Sequence, residues 1–119
     1  MNRSIEFYIN LLGLELIDRK EIPQNNAEIA FLRDPKEKGS ILELTLYRDQ
    51  KKFLQAEYKK RLFDHLAFKV KNMEKTIKLM KRAKITITDE PFEFGSKRTI
   101  IAFIEDPDGI LIELIEKNN

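Results

Sequence analysis

A chain of 119 residues, 42% hydrophobic and 35% charged, suits one globule of ordinary size, and a net charge of +2 makes no electrostatic case for nucleic acid or a membrane surface. Cysteine is absent, which excludes disulfides, thiolate metal sites and cysteine nucleophiles and fits a reducing compartment. No apolar run is long enough to span a bilayer and the first residues lack the apolar core of a signal peptide, so the cytoplasm is the expected location.

Ile5, Tyr8, Ile9 and Leu12 recur at helical spacing, predicting a helix from Asn2 to Leu12 that stops at Gly13. Leu14 to Glu21 reads as a strand, closed by Pro23 and the turn-forming Asn25-Asn26. Ala27 to Arg33 is a second strand. Asp34-Pro35 and Gly39-Ser40 turn the chain into a third, Ile41 to Tyr47. Residues 48–61 are charged and irregular, with Phe53, Leu54 and Tyr58 suited to one short helical turn; they read as a linker between modules at about 1–47 and 62–119 of a single domain.

The pattern then restarts. Asp64 to Val70 is a strand, and Asn72 caps a helix running to about Ala83 with Met73, Thr76, Ile77, Met80 and Ala83 on one face. Ile85 to Thr88 is a strand that Pro91 is expected to break. Thr99 to Glu105 follows, then the turn Asp106-Pro107-Asp108-Gly109 and a last strand, Ile110 to Glu116.

Two stretches repeat. Phe31-Leu32-Arg33-Asp34-Pro35 leads into Ile41-Leu42-Glu43-Leu44, and Phe103-Ile104-Glu105-Asp106-Pro107 leads into Leu111-Ile112-Glu113-Leu114. The Phe copies lie 72 residues apart and the Glu copies 70, the turn absorbing the difference. The second half reads strand, helix, strand, strand, strand; the first reads helix, strand, strand, strand. The first module therefore lacks an opening strand, and its equivalent position falls before Met1. Either the start is set too late or this is a short form.

Side chains alternate along a strand. Leu42, Leu44 and Leu46 share one face and Ile41, Glu43, Thr45 and Tyr47 the other; Ile112 and Leu114 oppose Leu111, Glu113 and Ile115; Leu66, Phe68 and Val70 oppose His65, Ala67 and Lys69. Helices covering the apolar faces leave Glu43, His65 and Glu113 to line a cleft. One imidazole with two carboxylates suits Zn, Ni, Co, Mn or Fe. His65 alone reads more readily as a hydrogen-bonded residue, and Glu43 alone as a solvent-facing acid. The matching Glu113 favours a shared site. The lysines of 71–84 read as the solvated face of a helix, as does Lys59-Lys60-Arg61 in its linker. Lys97 and Arg98 are candidate cations for an anionic substrate.

Ser4-Ile5-Glu6-Phe7-Tyr8 followed by Leu11-Leu12-Gly13-Leu14 resembles the first helix of the vicinal oxygen chelate superfamily. Leu42-Glu43-Leu44-Thr45, Asp64-His65-Leu66-Ala67-Phe68, and residues 101–109 with Ile112-Glu113-Leu114-Ile115-Glu116 are most similar to its glyoxalase I (lactoylglutathione lyase) members. The resemblance implies an α+β fold of two βαβββ modules, here without the first strand, and a homodimer. It implies one divalent metal (Ni, Co or Zn) held by Glu43, His65 and Glu113. The family's remaining His ligand would fall seven residues before Met1. It implies isomerisation of the methylglyoxal–glutathione hemithioacetal to S-lactoylglutathione through an enediolate, with Glu113 as the base. Two positions depart from the pattern: Tyr47 stands where glyoxalases commonly have Asn, and Asp64 where they commonly have Gly. These departures favour one alternative, an epimerase-like enzyme of the superfamily; another is a non-catalytic resistance protein, against which the carboxylates Glu43 and Glu113 speak. With one imidazole fewer, the chain as it stands is expected to be a poor catalyst.

Overall fold

A computed structural model describes residues 1–37, 39–52, 54–60, 63–95 and 99–117, which belong to two compact units, Met1–Leu54 and Gln55–Asn119. The first unit opens with helix α1 (Asn2–Asn10), which buries Ser4, Ile5, Phe7 and Tyr8. Phe7 takes the inward place expected of Ile9 and Leu12, which stay half-buried, and its ring meets Tyr8 edge-on at 5.1 Å. The helix ends at Asn10, two residues before the expected Leu12, and the chain leaves it through a turn closed at Gly13. Gly13 turns left-handed at φ 75°, its N–H donating to the Ile9 carbonyl (3.1 Å) and that of Leu14 to Tyr8 (3.0 Å).

Three antiparallel strands follow, β1 (Glu15–Ile22), β2 (Ala27–Arg33) and β3 (Leu42–Tyr47), in the order β1-β2-β3. Ala30 and Leu32 are fully buried; Leu44 and Leu42 opposite them, and Leu46 opposite Glu28, are half-buried, whereas Glu43, Thr45 and Tyr47 are exposed. The alternation read from the sequence thus holds on β3. One buried charge was not foreseen. Glu28 on β2 keeps only 8% of its side chain exposed, pairing with Arg19 and, at 3.2 Å, with Arg48. The hydrogen bond from Arg19 holds its carboxyl below the usual carboxylate value, against the opposing effect of burial, with Arg48 adding to the attraction.

The second unit runs through a single 3₁₀ turn (Tyr58–Lys60), β4 (Leu66–Lys69), α2 (Met73–Arg82), β5 (Ile87–Phe94), β6 (Thr99–Glu105) and β7 (Leu111–Lys117). Its sheet order is β4-β7-β6-β5, with β4 parallel to β7 and the other pairs antiparallel. The parallel pair needs a crossover, which α2 supplies. Asn72 caps that helix as expected, its Oδ1 accepting from the Lys75 N–H at 2.8 Å. Met73, Ile77 and Met80 are buried with Ala102, Ile104, Ile112 and Leu114. Ala83 is not: it follows the last helical residue as the C-cap and is exposed.

Pro91 does not break β5. The strand runs straight through it because β5 is the outermost strand of its sheet, where a missing N–H costs no ladder bond, and the register with β6 shifts between Asp89 and Phe92 to accommodate the ring. The turn into β7 forms as predicted. The Gly109 N–H donates to the Asp106 carbonyl (3.0 Å), while Asp106 Oδ1 accepts from the N–H groups of Asp108 and Ile110 at 2.8 Å each. The first unit is thus α-β-β-β and the second β-α-β-β-β, the α+β architecture with its first module one strand short. No helix among the described residues is long and apolar enough to cross a membrane.

Candidate functional site

The site is built on β7. Ile112 and Leu114 are fully buried, so the pleat turns Glu113 to the opposite face, where 18% of its side chain remains exposed. The register places Glu113 beside Ala67 of β4 and opposite Phe103 of β6. His65 immediately precedes β4. Its Nε2 lies 3.2 Å from Glu113 Oε2 and its Nδ1 2.5 Å from Asp64 Oδ2. The Phe103 ring meets the imidazole edge-on at 5.7 Å, closing one side of the ring to water.

A neutral imidazole has one N–H, yet both ring nitrogens of His65 face a carboxylate oxygen. When the proton sits on Nδ1 toward Asp64, a bare Nε2 lone pair confronts a bare Glu113 oxygen. That contact is repulsive unless positive charge lies between them, either a second proton on the ring or a cation. The spacing fits a cation: donors each about 2.0–2.2 Å from one small divalent ion stand roughly 3 Å apart. The donor chemistry, one imidazole nitrogen and one carboxylate oxygen, therefore fits a divalent metal. Among the described residues of the second unit, no further His, Asp or Glu completes a three-donor group with this pair.

Glu43 belongs to the first unit. It is exposed on β3, opposite Phe31, and its Oε1 accepts from Thr45 Oγ1 at 3.0 Å. The second unit thus brings His65 and Glu113 together, and Glu43 is held within its own unit on the face away from Leu42 and Leu44. Lys97 and Arg98 lie outside the described residues. Two participants escaped the sequence reading. Phe103 was seen only as part of a repeat, and Asp64 only as a departure from a pattern; its place next to the chain's single His was the available signal.

Residues 1–114 match the Glyoxalase/Bleomycin resistance protein/Dioxygenase superfamily. A "Probable lactoylglutathione lyase, chloroplastic" of Arabidopsis thaliana is 35% identical over 119 residues, covering 98% of this chain and 33% of the relative. A lactoylglutathione lyase of Neisseria meningitidis is 32% identical over 120 residues, covering 100% of this chain and 84% of the relative. Among solved structures, glyoxalase I from Zea mays superposes with a TM-score of 0.80 at 28% identity, over 99% of this chain and 41% of that one. A glyoxalase family protein from Bacillus cereus superposes with a TM-score of 0.84 at 18% identity, a likeness of fold alone, over 100% of this chain and 87% of that one. The chain spans a third of the length of the Arabidopsis protein.

Proposed function

The chain belongs to the glyoxalase/bleomycin resistance protein/dioxygenase superfamily, and we propose that within it the protein acts as a glyoxalase I-like lyase. Its substrate in this reading is the hemithioacetal of methylglyoxal and glutathione, and its product S-lactoylglutathione. The observation that carries the reading is the His65–Glu113 pair, with Nε2 and Oε2 at 3.2 Å and the second ring nitrogen already engaged by Asp64. Names of relatives at 32–35% identity support the same class of reaction.

Glu43, His65 and Glu113 would hold one divalent ion, Ni, Co or Zn. When bound, such an ion supplies Lewis-acid stabilisation of the negative charge that builds on substrate oxygen. The chain's own contribution is proton transfer. The Glu113 carboxylate takes the proton from the substrate carbon and returns it to the neighbouring carbon, so that hydrogen moves and no net oxidation occurs. Phe103 and the buried residues of β7 keep water from competing on one side. Lys97 and Arg98 would meet the carboxylates of the glutathione moiety. A homodimer in the cytoplasm completes the reading.

The test is to load the purified protein with Ni, Co or Zn and follow methylglyoxal consumption with and without glutathione. Glutathione-dependent product formation that vanishes on chelation is the expected result. Bound metal with no turnover under any of the three ions overturns the reading. Tyr47, exposed on the Glu43 face where glyoxalases commonly have Asn, favours a second one: proton exchange on a thioester by an epimerase-like activity. Solvent-deuterium incorporation into an acyl thioester without glutathione would distinguish it.

A further inference from the structure

We propose that Asp64 is a positioning residue that fixes His65 in the Nδ1–H tautomer and presents its Nε2 lone pair beside Glu113. The metal-binding part of the consequence rests on the reading above; the tautomer does not. The geometry decides which nitrogen keeps the proton. Two carboxylates compete for the one N–H of a neutral ring, Asp64 from 2.5 Å and Glu113 from 3.2 Å. The first is a short charge-assisted hydrogen bond and the second lies at the long limit for an N–H donor, so Asp64 takes the proton.

Left to itself, a solvated imidazole favours the Nε2–H form, which would aim an N–H at Glu113 and remove the lone pair a cation needs. Asp64 inverts that preference. As the immediate neighbour of His65, it makes the bond without closing a loop. The Phe103 ring, edge-on at 5.7 Å and nearly perpendicular (86°), holds the imidazole plane so that the tautomer also sets a direction. Carboxylate, imidazole and ligand position then lie in series, the arrangement in which an outer carboxylate orients a ligating ring. The side chain of Asp64 is 82% exposed, so its removal leaves no cavity and the fold is expected to survive substitution.

The chain's single His makes the claim directly readable. In metal-free protein at about pH 9, where an ordinary imidazole is neutral, a long-range proton–nitrogen NMR spectrum contains one ring and reports its tautomer. The wild type should show Nδ1–H, Asp64→Ala should revert to Nε2–H, and Asp64→Asn, whose amide oxygen still accepts from Nδ1–H, should keep the wild-type pattern. An Nε2–H ring in the wild type, or an unchanged ring in Asp64→Ala, overturns the proposal. In a parallel Co(II) titration followed by visible absorption, Asp64→Ala should bind about 10–100-fold more weakly, with Asp64→Asn between the two. Equal affinity in all three proteins overturns the link to the metal. Failure of the wild type to bind Co(II) refutes the proposed function and leaves the tautomer result to decide the role of Asp64.

Discussion

Phe103 stands directly opposite Glu113 across the β6–β7 ladder, and the same relation recurs between Phe31 and Glu43 across β2–β3. The repeated sequence is thus a repeated cross-strand pair: an aromatic ring beside a carboxylate on the face turned away from the strand's buried neighbours. Such a pairing shields the acid from part of its solvent while leaving its oxygens free to accept.

Glu113→Gln should leave the fold intact, since the amide is nearly isosteric and the side chain is only partly buried. Glutathione-dependent turnover should fall by about 10²–10⁴-fold, the usual contribution of a positioned base. Circular dichroism with a methylglyoxal assay on the metal-loaded variant checks both halves.

Phe103→Ala removes the ring that flanks His65. Because Phe103 is only half-buried, the loss should be about 2 kcal/mol, below the 3–5 kcal/mol of a fully buried Phe. Denaturant unfolding measures it. Co(II) affinity should drop as well, since the imidazole loses the contact that fixes its plane.

Stability should depend on pH through Glu28. Its folded-state carboxyl is held below the ordinary carboxylate value, first by the hydrogen bond from Arg19, so just beneath that ordinary value it binds fewer protons folded than unfolded. The stabilisation is complete above the unfolded value and disappears as pH falls through the lower folded one. Unfolding midpoints measured from pH 6 down to about pH 3 should therefore fall in the wild type and fall less in Glu28→Gln. At neutral pH, Glu28→Ala should cost about 1–2 kcal/mol, the range for charged hydrogen bonds reduced by the exposure of the two arginines.

Gly109→Ala and Gly13→Ala form a matched pair. Both sites are left-handed, at φ 78° and 75°, which costs a residue with a Cβ about 1–2 kcal/mol. At Gly13 nothing lies within 4 Å of the added atom. At Gly109 it would lie 2.8 Å from the Ala56 carbonyl oxygen, whose segment is tied here by the Ala56 N–H to the Asp108 carbonyl at 2.9 Å. Gly109→Ala should therefore be the more destabilising of the two by at least about 1 kcal/mol in denaturant unfolding.

What the sequence made legible was local. The cap at Asn72, the stop at Gly13 and the Asp106–Gly109 turn each rest on a few adjacent residues, and each formed where expected. The β3 faces followed from strict alternation. Non-local facts were hidden. Pro91 looked like a breaker because its place at a sheet edge cannot be read from its neighbours. Glu28 escaped because the acid changes strand between the copies: Glu28 lies opposite Leu46, whereas the equivalent pair is Ile100 opposite Glu116, so no repeated position marks it. In the second copy Glu116 accepts from the Met73 N–H at the start of α2, a tertiary contact that spacing alone does not reveal. Asp64 was visible, but its direction toward Nδ1 depends on the backbone ahead of β4.

Pro91 bears on how the protein behaves in concentrated solution. Phe92 and Phe94 are exposed on β5, 43% and 62%, beside Asp89, Glu90 and Glu93, acids that oppose recruitment of a like segment from another molecule. A strand that lacks one donor and shifts register twice offers no continuous row of N–H groups for such recruitment. The ring that seemed to end the strand instead interrupts the row of donors on which a strand from another molecule would have to grow.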